Sequence, residues 1–307
     1  MQLRKLLHWL GVVKGKLAER NTAQRWLARK SLPLTQRLGF SVIGDHFYEP
    51  IPNLQYIKKE YKDGPRVLPG FSSTPSWTEE AERVMTPYIA EYLGSSAYPI
   101  YGRENGMYAG WDAAYYYCLI RSTRPQSITE VGRGFSTGIA GAALERNTSE
   151  GYPGEIVSID PYSHGAKATP CTRIVEVELE RIAANERGAL LRADILFIDS
   201  SHVAKWGSDV VHLFESWIPN VAVNTLVHLH DIFTPYDYPL EWLVGQKRFW
   251  NEQLLFESFI AFNAAFRIEC PVSYLCKTGA LKQFAERVNA PELTASGGGA
   301  MWLKRIQ

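Results

Sequence analysis

From residue 127 onward the chain alternates short, nearly all-apolar runs with longer segments whose apolar residues return every three or four positions. Short apolar runs bounded by turn residues are the signature of buried strands, and the 3.6-residue return is that of helices. The pattern predicts strands at 127–131, 156–159, 173–177, 195–198, 225–230 and 301–303, and helices at 135–146, 207–217 and 249–266. Strands without polar alternation, separated by helices, assemble as βαβ units with both sheet faces covered. The expected fold is α/β, a Rossmann-like three-layer sandwich around a mostly parallel sheet.

Upstream the pattern is different. In residues 41–100, Pro50, Pro52, Pro65, Pro69, Pro75, Pro87 and Pro99 interrupt any long element, so this Pro/Tyr-rich stretch reads as loop, a cap or lid. The exception is a helix at 78–93, where Ser76 or Thr78 can cap and Glu79 and Glu80 sit in the first turn. A second helix, 111–120, leads into the core. Residues 1–40 form a separate basic extension: Arg4, Lys5, Lys14, Lys16, Arg20, Arg25, Arg29, Lys30 and Arg37 face Glu19 alone. Leu3, Leu6, Leu7, Trp9, Leu10, Val13 and Leu17 recur among them at helical spacing. Such an amphipathic helix can rest on anionic lipid or on a partner, or pack on its own domain with a solvated basic face. The organisation expected is therefore 1–40 extension, 41–100 cap, and 101–307 main domain.

Composition narrows the function classes. The 307 residues carry 33 Lys+Arg against 32 Asp+Glu, a net charge of +1, and 46% are hydrophobic. That balance excludes wholesale disorder and gives no reason to expect a nucleic-acid partner. Cys118, Cys171, Cys270 and Cys276 lack CxxC pairing, so neither a disulfide scaffold nor a zinc knuckle is indicated. No apolar run approaches the roughly 18 residues that cross a bilayer, and the start lacks a signal-peptide pattern, so a cytoplasmic protein is expected, with peripheral contact at the inner membrane surface through residues 1–40.

The candidate chemistry begins at Ile128-Thr-Glu-Val-Gly-Arg-Gly-Phe-Ser-Thr137, where a strand ends in Glu130 and passes through Gly132 and Gly134 into a helix. Two glycines allow a sharp turn and a close ligand approach to the main chain. A second acid, Asp160, ends the next strand, 26 residues after Gly134, and the polar insert 147–154 accounts for that long spacing. A dinucleotide would place its pyrophosphate over this turn, where the Glu130 carboxylate is an unfavourable neighbour. S-adenosylmethionine instead brings a sulfonium and an ammonium, which a carboxylate suits. Asp160 can accept from ribose hydroxyls in either case.

These residues resemble the motifs of class I S-adenosylmethionine-dependent methyltransferases of the methyltransferase-24-like group. Glu130-Val-Gly-Arg-Gly-Phe-Ser136 is similar to the first motif, Ile159-Asp160-Pro161 to the second, Asp194–His202 to the third and His228-Leu-His-Asp-Ile-Phe233 to the fourth. The likeness runs over about residues 100–305 and implies a seven-stranded sheet with one antiparallel strand. Arg133 departs from it, standing where the family often has a small residue. The resemblance implies that Glu130, Gly132, Gly134 and Ser136 line the methionine end of S-adenosylmethionine and Asp160 its ribose, with Asp199 beside them.

Asp199 and His202 follow one apolar strand, His230 and Asp231 another, and the carboxyl edge of an open α/β sheet is where ligands bind. His228 and His230, two apart, share a strand face. Two readings of the reacting end stay open. In related methyltransferases such acids hold a divalent metal, Mg²⁺ or another, which the resemblance places on Asp199 and Asp231. Alternatively His202 or His230 is a metal-free general base, and Asp231 a third catalytic group. Without function, the two aspartates would cap turns and His228 would be a core histidine. The segment 233–242, with two tyrosines, two prolines and Trp242, is a candidate acceptor loop or a self-packed connection. The activity expected is methyl transfer to a hydroxyl of a small molecule or glycan. A nicotinamide-dependent oxidoreductase on the same sheet, or a non-catalytic binding protein at a membrane, are the rivals, and homo-oligomer formation is an expected property.

Overall fold

A computed structural model describes residues 17–43, 48–72, 74, 76–103, 105–162 and 172–307. The expected amphipathic helix at the extreme N-terminus therefore lies largely outside the described residues. The chain divides into two compact units, one made of the chain before Asp63 together with Pro239–Phe249, the other of Asp63–Tyr238 and Trp250–Gln307. The smaller unit contains the helices α1 (Leu17–Arg37) and α2 (Leu54–Glu60), the latter capped by Asn53, whose side chain accepts from the Gln55 and Tyr56 N–H groups. Trp26, Leu27 and Leu34 of α1 are mostly exposed.

The larger unit is built on seven strands: β1 (Ser127–Val131), β2 (Glu155–Ile159), β3 (Thr172–Val175), β4 (Ile195–Ile198), β5 (Leu226–Leu229), β6 (Phe266–Pro271) and β7 (Met301–Arg305). Their order is β3-β2-β1-β4-β5-β7-β6, and all are parallel except β7. This is the seven-stranded sheet with one antiparallel strand that the motifs imply. Helices α3 (Ser76–Met85), α4 (Gly110–Thr123), α5 (Phe135–Ser149), α6 (Asp209–His212) and α7 (Glu252–Ile260) accompany it, α6 running on into a wider turn over Leu213–Trp217. Every residue of β4 is buried, as a central parallel strand requires. Among the described residues no helix is long and apolar enough to cross a membrane.

Three details differ from the sequence expectation. The helix expected at 78–93 is broken into α3 and a short helix Ile89–Gly94, because Pro87 lacks the N–H that a continuing helix needs. The helix expected at 249–266 stops at Ile260, and β6 follows where none is expected. β6 is an edge strand, with Phe266, Ile268 and Cys270 inward and Arg267 outward, and its polar alternation hides it from a search for continuous apolar runs. Its outer edge is partly closed by the Trp77 indole, which donates to the Ile268 carbonyl at 3.1 Å.

Register carries the fold to the site. Val131 pairs with Ile159 on one side and Ile198 on the other, and Ile198 pairs with Leu229. The residue after each strand continues its ladder: Gly132 N–H donates to Ile159, Asp199 to Val131, His230 to Ile198, and Asp160 to Val175. Gly132, Asp160, Asp199 and His230 therefore stand in one row along the carboxyl edge of the sheet. The strand order reverses beside β1, so the row crosses the switch point of the topology.

Candidate active site

The first glycine turn is set by its contacts. Gly132 has φ +83°, and a Cβ there would strike the Asp199 backbone carbonyl, so only glycine lets β1 end this close to β4. Gly134 then caps helix α5, its N–H donating to Thr137 Oγ1 at 3.1 Å. Glu130 is fully buried beneath the turn. Its two oxygens accept from Ser136 Oγ at 2.8 Å, Thr137 Oγ1 at 2.7 Å and Ser158 Oγ at 2.5 Å. Burial pushes its carboxyl up to about 7 against the pull of those three hydroxyls. Glu130 and Ser136 thus stand behind the turn, fastening β1, β2 and α5 to one another, and not on its open face.

On the open face, Asp160 is half-buried. It accepts from the Arg133 N–H at 3.0 Å and the Tyr162 N–H at 2.7 Å, which fixes the carboxylate at the end of β2. A cleft of about 460 Å³ opens here, lined by Gly132, Asp160, Tyr162, Glu180, Asp199 and Lys205 among others. That volume suits a nucleoside-sized ligand. A larger hollow of about 840 Å³ borders Trp77 and β6. It holds none of the motif residues, and its Arg83 and Arg267 are already paired with Glu80 and Glu269.

Beside the cleft the structure gathers Asp199, His202, His230 and Asp231. His202 Nε2 lies 3.3 Å from Asp199 Oδ1 and 3.6 Å from Asp231 Oδ2, while His230 Nδ1 lies 3.5 and 3.6 Å from the same two atoms. Both imidazoles have a carboxylate behind them. Glu252, buried on α7, meets His202 Nδ1 at 2.8 Å and is itself held by Ser200 Oγ. Asp112, buried on α4, lies 3.7 Å from His230 Nε2 and accepts the N–H groups of Gly299 and Ala300. His202 has φ +59° and Asp231 φ +55°, a left-handed conformation that non-glycine residues adopt at a cost of about 1–3 kcal/mol when a site demands it. Trp250 packs on the His202 ring with centroids 4.3 Å apart.

The protonation states follow from this packing. Burial alone would lower His202, but hydrogen bonds to Asp199 and Glu252 raise it to about 10. Burial would likewise lower His230, and the charges of Asp231 and Asp199 carry it well above the ordinary value. Burial works to raise Asp199, yet His230 and His202 hold it well below the usual carboxylate range. Asp231 stays raised, because burial outweighs the same two imidazoles. The neighbouring carboxylates thus hold both imidazoles towards their charged form, with the Asp231 carboxyl raised beside them.

Among the described residues no group of three or more His, Cys, Asp or Glu side chains is arranged to hold a metal ion. A divalent ion on Asp199 and Asp231 would be held by these carboxylates beside the two imidazoles, and no step below runs through one.

His228 is a core residue. It stacks on Phe197 at 3.9 Å with 7° between planes, faces Trp302, and burial keeps it neutral. It shares a face with His230, as the two-residue spacing predicts, at 5.8 Å between rings. In the aromatic segment, Tyr238 is buried and its hydroxyl accepts the Gln253 N–H, while Phe233 packs against it. Asp112 and Glu252 join this cluster from helices α4 and α7, with no motif around either to mark them in the sequence.

Residues 129–232 match a family model described as a methyltransferase domain. A stretch of 127 residues is 29% identical to an uncharacterized protein of Archaeoglobus fulgidus, spanning 38% of this chain and 57% of that one. The chain thus covers little more than half the length of that relative. Among solved structures, the SAH-bound methyltransferase PaMTH1 of Podospora anserina covers 82% of this chain and 93% of its own, at 12% identity and a TM-score of 0.39. An O-methyltransferase of Bacillus cereus in complex with SAH covers 82% and 96%, at 11% identity and a TM-score of 0.36. Residues 129–232, which hold nearly all of the four motifs, are thus similar to a methyltransferase domain.

Proposed function

We propose that the chain transfers a methyl group from S-adenosylmethionine to a hydroxyl of a small molecule or glycan. The observation that carries this reading is the row of Gly132, Asp160 and Asp199 along an acidic cleft. Asp160, Glu178, Glu180, Asp199 and Asp209 line it against Lys205, a balance that favours a cationic ligand over a diphosphate. Asp160, held by two backbone N–H groups, suits the ribose hydroxyls.

When bound, the cofactor supplies an electrophilic methyl group on a positive sulfur, which leaves with the C–S electron pair as an acceptor oxygen bonds to carbon. The chain's own groups do the rest. Asp231, raised by burial, takes the hydroxyl proton. His202 and His230, held charged, donate towards the oxygen as negative charge grows on it. Glu252 and Asp112 hold the two rings in place. Alignment of the two reactants contributes most, up to roughly 7–11 kcal/mol in well-oriented systems.

The acceptor class draws on two exposed rings. Tyr162 lines the cleft and is largely exposed, and Trp206, fully exposed, stands between two further lining residues, Lys205 and Gly207. Flat, rigid rings at a cleft mouth suit stacking on a sugar or an aromatic acceptor. The test is incubation of the protein with labelled S-adenosylmethionine and cell extract, followed by mass-spectrometric search for products heavier by one methylene. Label on oxygen, as a methyl ether, supports the reading; label on nitrogen only, or none, overturns it.

We read the basic extension as a contact for an anionic membrane surface. Trp26, Leu27 and Leu34 are exposed on the same helix as Arg29, Lys30 and Arg37. Flotation with phosphatidylserine vesicles that is lost on deleting residues 1–40 supports it, and unchanged flotation contradicts it.

A further inference from the structure

Arg133 stands between the two glycines of the first turn, and nothing above accounts for its side chain. Its Nε and Nη2 are both buried and have no hydrogen-bond partner among the described residues. Buried donors are almost always satisfied, and leaving a charged one unpaired is costly, more so than for a neutral group. The position is also rigid. The Arg133 N–H is held by Asp160, the preceding Gly132 is pressed against the Asp199 carbonyl, and α5 begins two residues later.

We infer that the Arg133 guanidinium receives the α-carboxylate of the methionine moiety of the bound cofactor. The inference rests on the proposed S-adenosylmethionine reading and adds the missing countercharge. That ligand is a cation at sulfur and nitrogen but an anion at its carboxylate, and the cleft that welcomes the first two repels the third. Five carboxylates line it, and Lys205 is the one cation among the described lining residues. Arg133 supplies a planar, always charged donor pair of the geometry a carboxylate takes. The carboxylate in turn satisfies the two orphaned nitrogens.

Calorimetry tests this without turnover. Wild type, Arg133→Met, Arg133→Lys and Lys205→Met are titrated with S-adenosylmethionine and with decarboxylated S-adenosylmethionine, which lacks only that carboxylate. Wild type should bind the intact ligand about 10- to 100-fold more tightly, the range of a charge-assisted hydrogen bond. Arg133→Met should bind both ligands alike, at the affinity wild type shows for the decarboxylated one, and Arg133→Lys should recover part of the preference. An unaltered preference in Arg133→Met, or its loss in Lys205→Met instead, overturns the assignment. Equal weakening towards both ligands makes Arg133 structural and overturns it too. If wild type binds neither ligand, the methyltransferase reading itself falls, an outcome distinct from wild type binding both equally, which removes Arg133 alone.

Discussion

Two groups of carboxylates lie a few residues apart in this sheet and are used in opposite ways. Glu130, one residue before the end of β1, is sealed among the Ser136, Thr137 and Ser158 hydroxyls. Asp199 and Asp231, just past the ends of β4 and β5, face imidazoles that two further acids hold in place. Hydroxyl donors satisfy a buried carboxylate and make it a fastening. Imidazole partners instead set carboxylates against groups that can themselves carry charge, as at Asp199. The difference between framework and chemistry is thus one of partners rather than of residue type.

The largest effect is expected of Asp231→Asn. It should lower kcat by about 10²–10⁴-fold while cofactor affinity in calorimetry stays within about twofold. Retained turnover would remove the proton acceptor. Next in size, Asp160→Ala should weaken S-adenosylmethionine binding by about tenfold or more, through loss of charged hydrogen bonds to the ribose. The same affinity as wild type would detach Asp160 from the cofactor.

The pH–rate profile should be bell-shaped. Asp231 must be ionised, so activity rises through an acid limb above the ordinary carboxylate value of 3.8. His202 must keep its proton, so activity falls as pH passes about 10. Glu252→Gln removes one of the groups that raise His202 and should move the alkaline limb down, whereas a limb that stays in place would assign it to another group.

Glu130 predicts a smaller effect of another kind. Its folded value of about 7 lies above the ordinary 4.5, so its contribution to stability is complete below 4.5 and is lost as pH rises through 7. Glu130→Gln should flatten that loss, by roughly 1–3 kcal/mol at pH 9 in denaturant melts, with little change in turnover. A pH dependence identical to wild type would contradict the buried, raised carboxyl. Smallest of all, dialysis against EDTA should leave turnover unchanged. Loss restored by added Mn²⁺ or Mg²⁺ would instead return Asp199 and Asp231 to metal ligation.

Much of this site was legible from spacing. Apolar runs ending in Glu130, Asp160, Asp199 and His230 place their last residues at one sheet edge whatever the details, because parallel strands in register end together. Period two placed His228 and His230 on one face. What escaped was set by tertiary packing. Asp112 and Glu252 reach the histidines from helices α4 and α7, 118 and 22 residues away from His230 in sequence, and no local pattern marks them. β6 escaped because an edge strand alternates. The proton positions escaped because a histidine's pKa depends on how many carboxylates surround it, which a strand pattern does not reveal.

On the reading proposed above, this sheet edge receives a sulfonium nucleoside. Parallel calorimetric titration of the purified chain with S-adenosylmethionine and with NADH tests it most directly. S-adenosylmethionine should bind saturably and one-to-one, about tenfold or more weakly in Asp160→Ala, and NADH should give no heat. Saturable NADH binding with none of S-adenosylmethionine would contradict it.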